Sequence, residues 1–210
     1  MMKLFGENNP IVNVLIRIFD VFLLNLLWIL CSVPIITIGA STAALYYSLL
    51  KINRETDSSI IGMFFKSFRQ NLKQGCLVTL LFILSGLVLY VDIMFCNLLE
   101  NTAGNILRVI FALFILIWAM MLSYVFPILA QFENSVIGTI KNAFLMSVSH
   151  VGRTLVIVSL NALIPVVFFV LPELFVLGLP VLMTFGVAII ALINTKLLTG
   201  IFDYYINLEG

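Results

Sequence analysis

Residues 18–50 read IFDVFLLNLLWILCSVPIITIGASTAALYYSLL, with a single carboxylate, Asp20, near the beginning. A helix that crosses a bilayer needs roughly 20 mostly apolar residues, because the hydrocarbon core is about 30 Å thick and contains no water to solvate backbone amides. This stretch is longer than that and too apolar for the core of a soluble domain. It therefore predicts a protein that is embedded in a membrane.

The composition of the whole chain agrees with this prediction. Of its 210 residues, 62% are hydrophobic and 10% are charged, whereas ordinary soluble domains are about 45 to 50% apolar and about 25% charged. The formal net charge is +1, which provides no field that would attract nucleic acid. We therefore expect the lipid bilayer, and no nucleic acid, among the partners of this protein.

Four more apolar segments follow the first. They run from Cys76 to Phe95, from Val109 to Ala130, from Thr154 to Pro172 and from Leu174 to about Leu198. No loop between them could house a second soluble domain, so residues 1–210 are predicted to form a single integral membrane domain. The predicted fold is all-α: a polytopic transmembrane helical bundle of five to six spans, with two amphipathic helices on the cytoplasmic side.

The first apolar segment must be interrupted. As one straight helix, its roughly 33 residues would extend about 50 Å, well beyond the thickness of the hydrocarbon. Pro34 cannot donate a backbone hydrogen bond and disfavours helix at Val33, and Gly39 weakens the next turn. We therefore predict a break near Pro34 to Thr42. Two geometries fit: a hairpin or re-entrant pair of short helices, or an interfacial helix that leads into one kinked span.

Two segments between the spans have an apolar face and a polar face. In residues 58–73 the apolar side chains follow a helical period, and residues 134–150 show the same pattern. Each segment can lie in the membrane surface or pack on its own bundle. The basic side chains predicted to contact the membrane surface are Lys66, Arg69, Lys73, Lys141 and Arg153. Because two spans follow each segment, we predict a weak repeat of 58–130 and 134–203.

The basic residues are unevenly distributed between the loops. Residues 51–75 contain five Lys and Arg and residues 131–153 contain two, whereas the loops of the opposite side contain only Arg108. The positive-inside rule places both amphipathic segments, and the C-terminus, in the cytoplasm. The N-terminus lies inside if the first segment is a hairpin and outside if that segment spans once; we favour the inside.

No group of side chains is typical of an enzyme. His150 is the single histidine, whereas a zinc site needs about three further ligands. The sequence contains neither a Gly-x-Ser-x-Gly motif nor a phosphate-binding Gly-rich loop with Lys and Ser or Thr. We expect no enzymatic activity, no cofactor and no metal, and any coupling to nucleotide hydrolysis would need another subunit.

Polar groups at membrane depth are the candidates for a site. Asn25, Asn161 and Asn194 are central in their segments, where interhelical hydrogen bonds are the usual role of an amide. A broken helix also exposes backbone groups that can hold a solute or an ion, although Ser and Thr hydroxyls in a simple hairpin turn can satisfy the same groups. The predicted solute site or structural break comprises Asp20, Asn25, Pro34, Thr37, Gly39, Ser41 and Thr42.

Three stretches resemble the YesL-like family of bacterial integral membrane proteins, a family of uncharacterised function. They read LLNLLWILCSVPIITIGASTAALYYSLLK at 23–51, FFKSFRQNLKQG at 64–75 and YVFPILAQFENSVIGTIKNAF at 124–144. The resemblance implies a multi-pass protein of the bacterial cytoplasmic membrane, commonly encoded near carbohydrate ABC transporters and glycoside-degrading enzymes. It implies no catalytic residues.

Two functions are expected from these observations. The first is an accessory or regulatory component linked to carbohydrate uptake, with a carbohydrate ABC transporter as its partner. The alternative is a small-solute transporter or channel-like protein that acts through its own helical bundle.

Overall fold

The computed structural model describes residues 10–52, 59–99 and 101–209, without the side chains of 10–11, 174–177 and 208–209. All regular structure in these ranges is helical. The helices are α1 (Pro10–Ser32), α2 (Ile38–Lys51), α3 (Ile60–Asn97), α4 (Thr102–Gln131), α5 (Val136–Ser149), α6 (Val151–Val170), α7 (Leu174–Val181) and α8 (Val187–Glu209). A 3-10 turn, Ile35–Thr37, precedes α2, and a π-helical turn, Leu182–Gly186, joins α7 to α8.

Five helical stretches in the described ranges are long and apolar enough to cross a membrane. They are Val12–Ser32, Ile60–Asn97, Thr102–Gln131, Val151–Val170 and Gly178–Asn207. Many of their large apolar side chains are exposed, for example Leu84, Leu113 and Phe169, as expected for helices whose solvent is lipid. The all-α, multi-pass fold is confirmed.

The first apolar segment forms a helical hairpin. Helix α1 ends at Ser32, Pro34 is extended, and α2 begins at Ile38. The Thr37 hydroxyl donates to the Cys31 carbonyl (2.6 Å), and the Trp28 indole donates to Thr42 Oγ1 (3.0 Å). These contacts pair residues on either side of the break, so the two helices are antiparallel and the predicted break is confirmed.

The break is shorter than the sequence predicts. The bend and the 3-10 turn occupy residues 33–37, so Gly39, Ser41 and Thr42 belong to the first turns of α2 rather than to the break. Helix α2 has 14 residues and is therefore about 21 Å long, less than the hydrocarbon thickness. It is the short second helix of the hairpin and packs among longer helices.

Helix α2 is the most enclosed part of the bundle because its small side chains allow close packing. Residues 39–41 and 43–46 are all buried. Where α2 crosses α3, a Cβ atom added to Gly75 would lie only 2.6 Å from the backbone nitrogen of Ala40. The Gly39 amide donates to Thr79 Oγ1 at the same crossing (3.0 Å).

Helices α3 and α4 form a second antiparallel pair. The Trp118 indole donates to Ser85 Oγ (3.0 Å), and Asn101 caps α4 by accepting from the Gly104 amide (2.9 Å). The segment predicted at 58–73 is not a separate surface helix, because its described part continues without interruption into the 38-residue α3. Regular backbone hydrogen bonds run through the amphipathic part and the apolar part alike.

The second amphipathic segment is a separate helix, α5. Ser135 caps its beginning, and the residue after its end, His150, packs with its ring perpendicular to those of Tyr204 and Tyr205. The order of amphipathic segment, span and span thus occurs twice, but the halves differ in their second span, since only α7–α8 contains a π-helical turn. The repeat of 58–130 and 134–203 stays a prediction.

Candidate solute site in the bundle core

Asn25 fills a gap in the backbone hydrogen bonding between α7 and α8. Its side chain is fully buried. Its Nδ2 donates to the carbonyl oxygens of Leu182 (3.0 Å) and Met183 (2.9 Å), and its Oδ1 accepts from the amides of Val187 (3.1 Å) and Ala188 (3.0 Å). In an uninterrupted α-helix these groups would bond along the same helix. One side chain of α1 therefore holds both ends of the π-helical turn.

A second polar cluster connects α2, α4, α6 and α8. Asn194 Nδ2 donates to Asn161 Oδ1 (2.8 Å) and to the Tyr46 hydroxyl (3.2 Å). Asn161 Nδ2 donates to Ser123 Oγ (3.1 Å), and Ser123 donates in turn to the carbonyl of Ala119 (2.9 Å). We call Tyr46, Asn194, Asn161 and Ser123 the amide chain.

A cavity of about 280 Å³ lies beside the amide chain. Tyr46, Ser123 and Asn161 line it, and so does Thr42. The remaining lining residues are Ile38, Leu45, Leu122, Phe126, Pro127, Val187, Ile190 and Ala191. Among the described residues that line this cavity there is no Lys, Arg, His, Asp or Glu, so the site is electrically neutral. Val187 also donates its amide to Asn25, which places both polar clusters next to the same cavity.

Two prolines add oxygen acceptors to this region. Pro127 follows Ser123 by four residues in α4, and Pro165 follows Asn161 by four residues in α6. Because proline has no amide hydrogen, the carbonyls of Ser123 and Asn161 lose the donor that a helix normally supplies. The described residues around this cavity are therefore rich in acceptors and include no charged side chain in its lining, which suits an uncharged ligand that can donate hydrogen bonds.

Two comparisons with known proteins match part of the chain. Residues 21–93 match the family model described as "Protein of unknown function, DUF624". The chain is also 26% identical over 140 residues to a protein of Bacillus subtilis (strain 168) described as "Uncharacterized protein YesL". The resemblance to the YesL-like DUF624 family is confirmed.

The coverage of these matches is partial. The alignment with the Bacillus subtilis relative covers 63% of this chain and 64% of the relative, so less than two thirds of the relative's length is matched. No solved structure matches the chain. The DUF624 match spans α2, the α1–α2 turn, most of α3 and the part of α1 that contains Asn25. It therefore includes the hairpin turn, Asn25 and Tyr46, whereas the partners of Asn25 and the other members of the amide chain lie outside it.

The structure brings only some of the predicted site residues to the cavity. Thr42 lines it, and Asn25 lies at its edge through the Val187 amide. Asp20 is half-buried on α1 beside Arg17 and is not a lining residue. The other predicted residues belong to the hairpin and do not line the cavity. The Ser41 hydroxyl donates to the Thr37 carbonyl, and the Thr37 hydroxyl donates across the turn to the Cys31 carbonyl. Gly39 lies at the crossing with α3, and Pro34 is exposed in the turn.

The interhelical role predicted for the three central asparagines is confirmed by their hydrogen bonds. The sequence did not reveal that Tyr46 and Ser123 share a cluster with two of them. A usable signal was present, since Ser123 and Asn161 each precede a proline by four residues within an apolar segment. A polar side chain at that spacing marks a place where a helix has a carbonyl without its usual donor.

The five basic residues predicted at the membrane surface are separate from the cavity. Lys66, Arg69, Lys73, Lys141 and Arg153 are all exposed, and none of them lines the cavity. Arg153 lies beside α8, where a Cβ on Gly200 would be 3.3 Å from its Nη1 atom. The described residues contain no group of three or more His, Cys, Asp or Glu side chains that could hold a metal ion. Their three cysteines are free thiols.

Proposed function

We propose that this multi-pass membrane protein binds a small uncharged solute within its bundle, as part of carbohydrate uptake. The observation that carries the proposal is the neutral cavity at the amide chain, where α2, α4, α6 and α8 meet. Its volume of about 280 Å³ is close to the lower end of ligand pockets in proteins, roughly 300 Å³. A single small solute, rather than an oligosaccharide, suits that size.

The position of the cavity also supports a role in moving the solute. Some of the lining residues belong to the short helix α2. Others belong to the first turns of α8, directly after the π-helical turn. Interrupted helices at membrane depth commonly border solute sites in transporters. In this proposal, the α1–α2 hairpin shifts against the other helices to open the cavity. The proposal contains no chemical step, in keeping with the expectation that the protein is not an enzyme.

Filling the cavity tests this function. Ala191 is nearly fully buried and lines the cavity, whereas Ala112 is exposed on the apolar surface of α4. In proteoliposomes, we expect the wild type to take up labelled glycerol or glucose faster than empty vesicles, Ala191→Met to abolish the difference, and Ala112→Met to preserve it. Uptake equal to that of empty vesicles, together with no measurable binding to the purified protein, would refute the proposed function.

A second candidate is an accessory subunit that docks on a carbohydrate ABC transporter. The observation in its favour is the exposed basic face of the first half of α3, where Lys66, Arg69 and Lys73 are all accessible while Phe64 and Ser67 are buried. Mild crosslinking in native membranes, followed by purification, should then recover transporter components. Changing all three basic residues to Gln should reduce that recovery, and recovery of none from the wild type would remove this candidate.

A further inference from the structure

The amide chain has a fixed direction. The hydroxyl hydrogen of Ser123 is used by the Ala119 carbonyl, so the Ser123 oxygen can only accept from Asn161. Asn161 must therefore present its Nδ2 to Ser123 and its Oδ1 to Asn194. Asn194 in turn must present its Nδ2, because two carbonyl oxygens cannot hydrogen-bond to each other. The end of the chain on α4 determines the orientation of both asparagines.

This direction leaves an unused acceptor and an unused donor at the other end. Asn194 is fully buried, and its Oδ1 has no hydrogen-bond partner among the described residues. The Tyr46 hydroxyl accepts from Asn194 Nδ2 at 3.2 Å, and no other described residue uses its hydrogen. Buried polar groups normally have partners, so an orphaned oxygen in a fully buried side chain calls for one.

The unused groups belong to one residue that lines the cavity and to its bonded neighbour. Tyr46 is a lining residue. Asn194 is not, but its Nδ2 bonds to the lining residues Tyr46 and Asn161, so its side chain lies directly behind the cavity wall. A hydroxyl group is the simplest ligand group that can satisfy both, since it donates one hydrogen and accepts another. An ionised carboxylate has no donor for Asn194 Oδ1, and an ammonium has no acceptor for Tyr46.

We propose that Tyr46 and Asn194 bind one hydroxyl group of an uncharged polyol or monosaccharide, which donates to Asn194 Oδ1 and accepts from the Tyr46 hydroxyl. This inference rests on the proposed function, and it names the class of solute and the pair of side chains that selects it. The selection is for hydroxyl groups and against charge, because the lining residues offer no counter-ion.

The test measures equilibrium binding of glycerol and of glucose to the full chain in lipid nanodiscs. Tyr46→Phe keeps the buried ring and removes the donor, and should weaken binding about tenfold, the effect of one hydrogen bond of typical strength. Tyr47→Phe is the matched control on the same helix, since Tyr47 is not a lining residue and its ring lies against Lys51. It should leave the affinity unchanged. Equal melting temperatures will show that both variants fold.

Deoxy analogues identify the recognised group. In the wild type, one deoxyglucose should bind about a hundredfold more weakly than glucose, because it loses the hydrogen bonds to both Tyr46 and Asn194. In Tyr46→Phe the same deoxyglucose should bind about tenfold more weakly than glucose, because only the bond to Asn194 Oδ1 is left to lose. Gluconate and glucosamine, which carry opposite charges, should bind the wild type more weakly than glucose.

The outcomes separate this inference from the proposed function. Binding of glucose or glycerol that is blocked by Ala191→Met but unaffected by Tyr46→Phe would overturn the hydroxyl pair and leave the solute site intact. Binding of gluconate as tight as that of glucose would also overturn it. If no probe binds at millimolar concentration, the pair holds water only, and both proposals fail.

Discussion

At the scale of single residues, the Asn25 side chain links α1 to the backbone on both sides of the π-helical turn. Its amide makes four hydrogen bonds to backbone groups 157 to 163 residues away. Interhelical hydrogen bonds in membrane proteins contribute on average about 0.6 kcal/mol each and up to about 1.7. We therefore predict that Asn25→Leu lowers the free energy of unfolding by about 2 to 4 kcal/mol, as measured by denaturant titration in mixed micelles.

The control for this change lies on the same helix. Asn13 is exposed near the beginning of α1, so Asn13→Leu should change the stability by less than about 0.5 kcal/mol. If Asn25→Leu lowers the free energy of unfolding no more than Asn13→Leu does, the π-helical turn is held by its own packing rather than by Asn25.

The residue scale also shows where sequence reasoning stops. An asparagine in an apolar segment predicts an interhelical hydrogen bond, because an amide in hydrocarbon needs partners. It does not indicate which helix supplies them. The partners of Asn25 are backbone groups, which every residue has, and they become available only where the distant helix is irregular. The cavity could not be predicted for the same reason, since it is formed by side chains of four helices.

At the scale of helices and turns, the crossing of α2 and α3 depends on two glycines. A Cβ on Gly75 would lie 2.6 Å from the nitrogen and 2.8 Å from the Cα of Ala40, and backbone atoms cannot rotate away. A Cβ on Gly39 would overlap the Thr79 hydroxyl and the Phe126 ring. We predict that Gly75→Ala separates the two helices and lowers the stability by about 1 to 3 kcal/mol, the range for overpacked cores. Thermal unfolding in detergent measures this.

Gly152→Ala provides the comparison. No atom lies within 4 Å of the Cβ position at Gly152, which is in the first turn of α6. Alanine should therefore leave the stability unchanged or raise it by up to about 1 kcal/mol, because glycine is the poorer helix former. A Gly75→Ala protein as stable as Gly152→Ala would show that the crossing is not tight.

The two irregular turns differ in how well the sequence predicts them. The turn between α1 and α2 is predicted because Pro34 acts locally, on its own amide and on the residue before it. The π-helical turn was not predicted, although Pro180 precedes it and Gly186 is its last residue, since the same residues occur in ordinary kinks. The boundary between amphipathic segment and span in α3 was also misplaced, because a change of polarity leaves the backbone hydrogen bonds of a helix intact.

At the scale of the whole molecule, the antiparallel pairs fix the side on which the first described helix begins and the last one ends. Helices α1 and α2 form a hairpin, and α3 and α4 form another. Helix α6 runs antiparallel to α7 and α8, because Arg153 lies beside Gly200, Asn161 bonds to Asn194, and Phe168 lies beside Gly178. Each pair returns the chain to the side on which the pair began, so the beginning of α1, helix α5 and the end of α8 share one side.

The basic residues then predict that this shared side is the cytoplasm. Lys141 lies on α5, and Lys66 and Lys73 lie on the first half of α3, whereas Arg108 is on the far side near the α3–α4 turn. Short cytoplasmic loops carry an excess of Lys and Arg. A hairpin at the beginning of the bundle thus requires a cytoplasmic N-terminus, which the alternative of one kinked span would have placed outside.

Labelling of single cysteines in intact cells tests this topology. In a variant whose three native cysteines are replaced by Ala, Asn105→Cys should react with a membrane-impermeant maleimide added outside, because Asn105 is exposed at the beginning of α4. Lys141→Cys, which is exposed on α5, should react only after permeabilisation, as should a cysteine in a tag fused before Met1. The contradicting outcome is a tag that reacts from outside while Lys141→Cys does not. It would mean that α1 and α2 do not return the chain to the side on which α1 begins, because the other two helix pairs do not affect the position of the tag relative to α3.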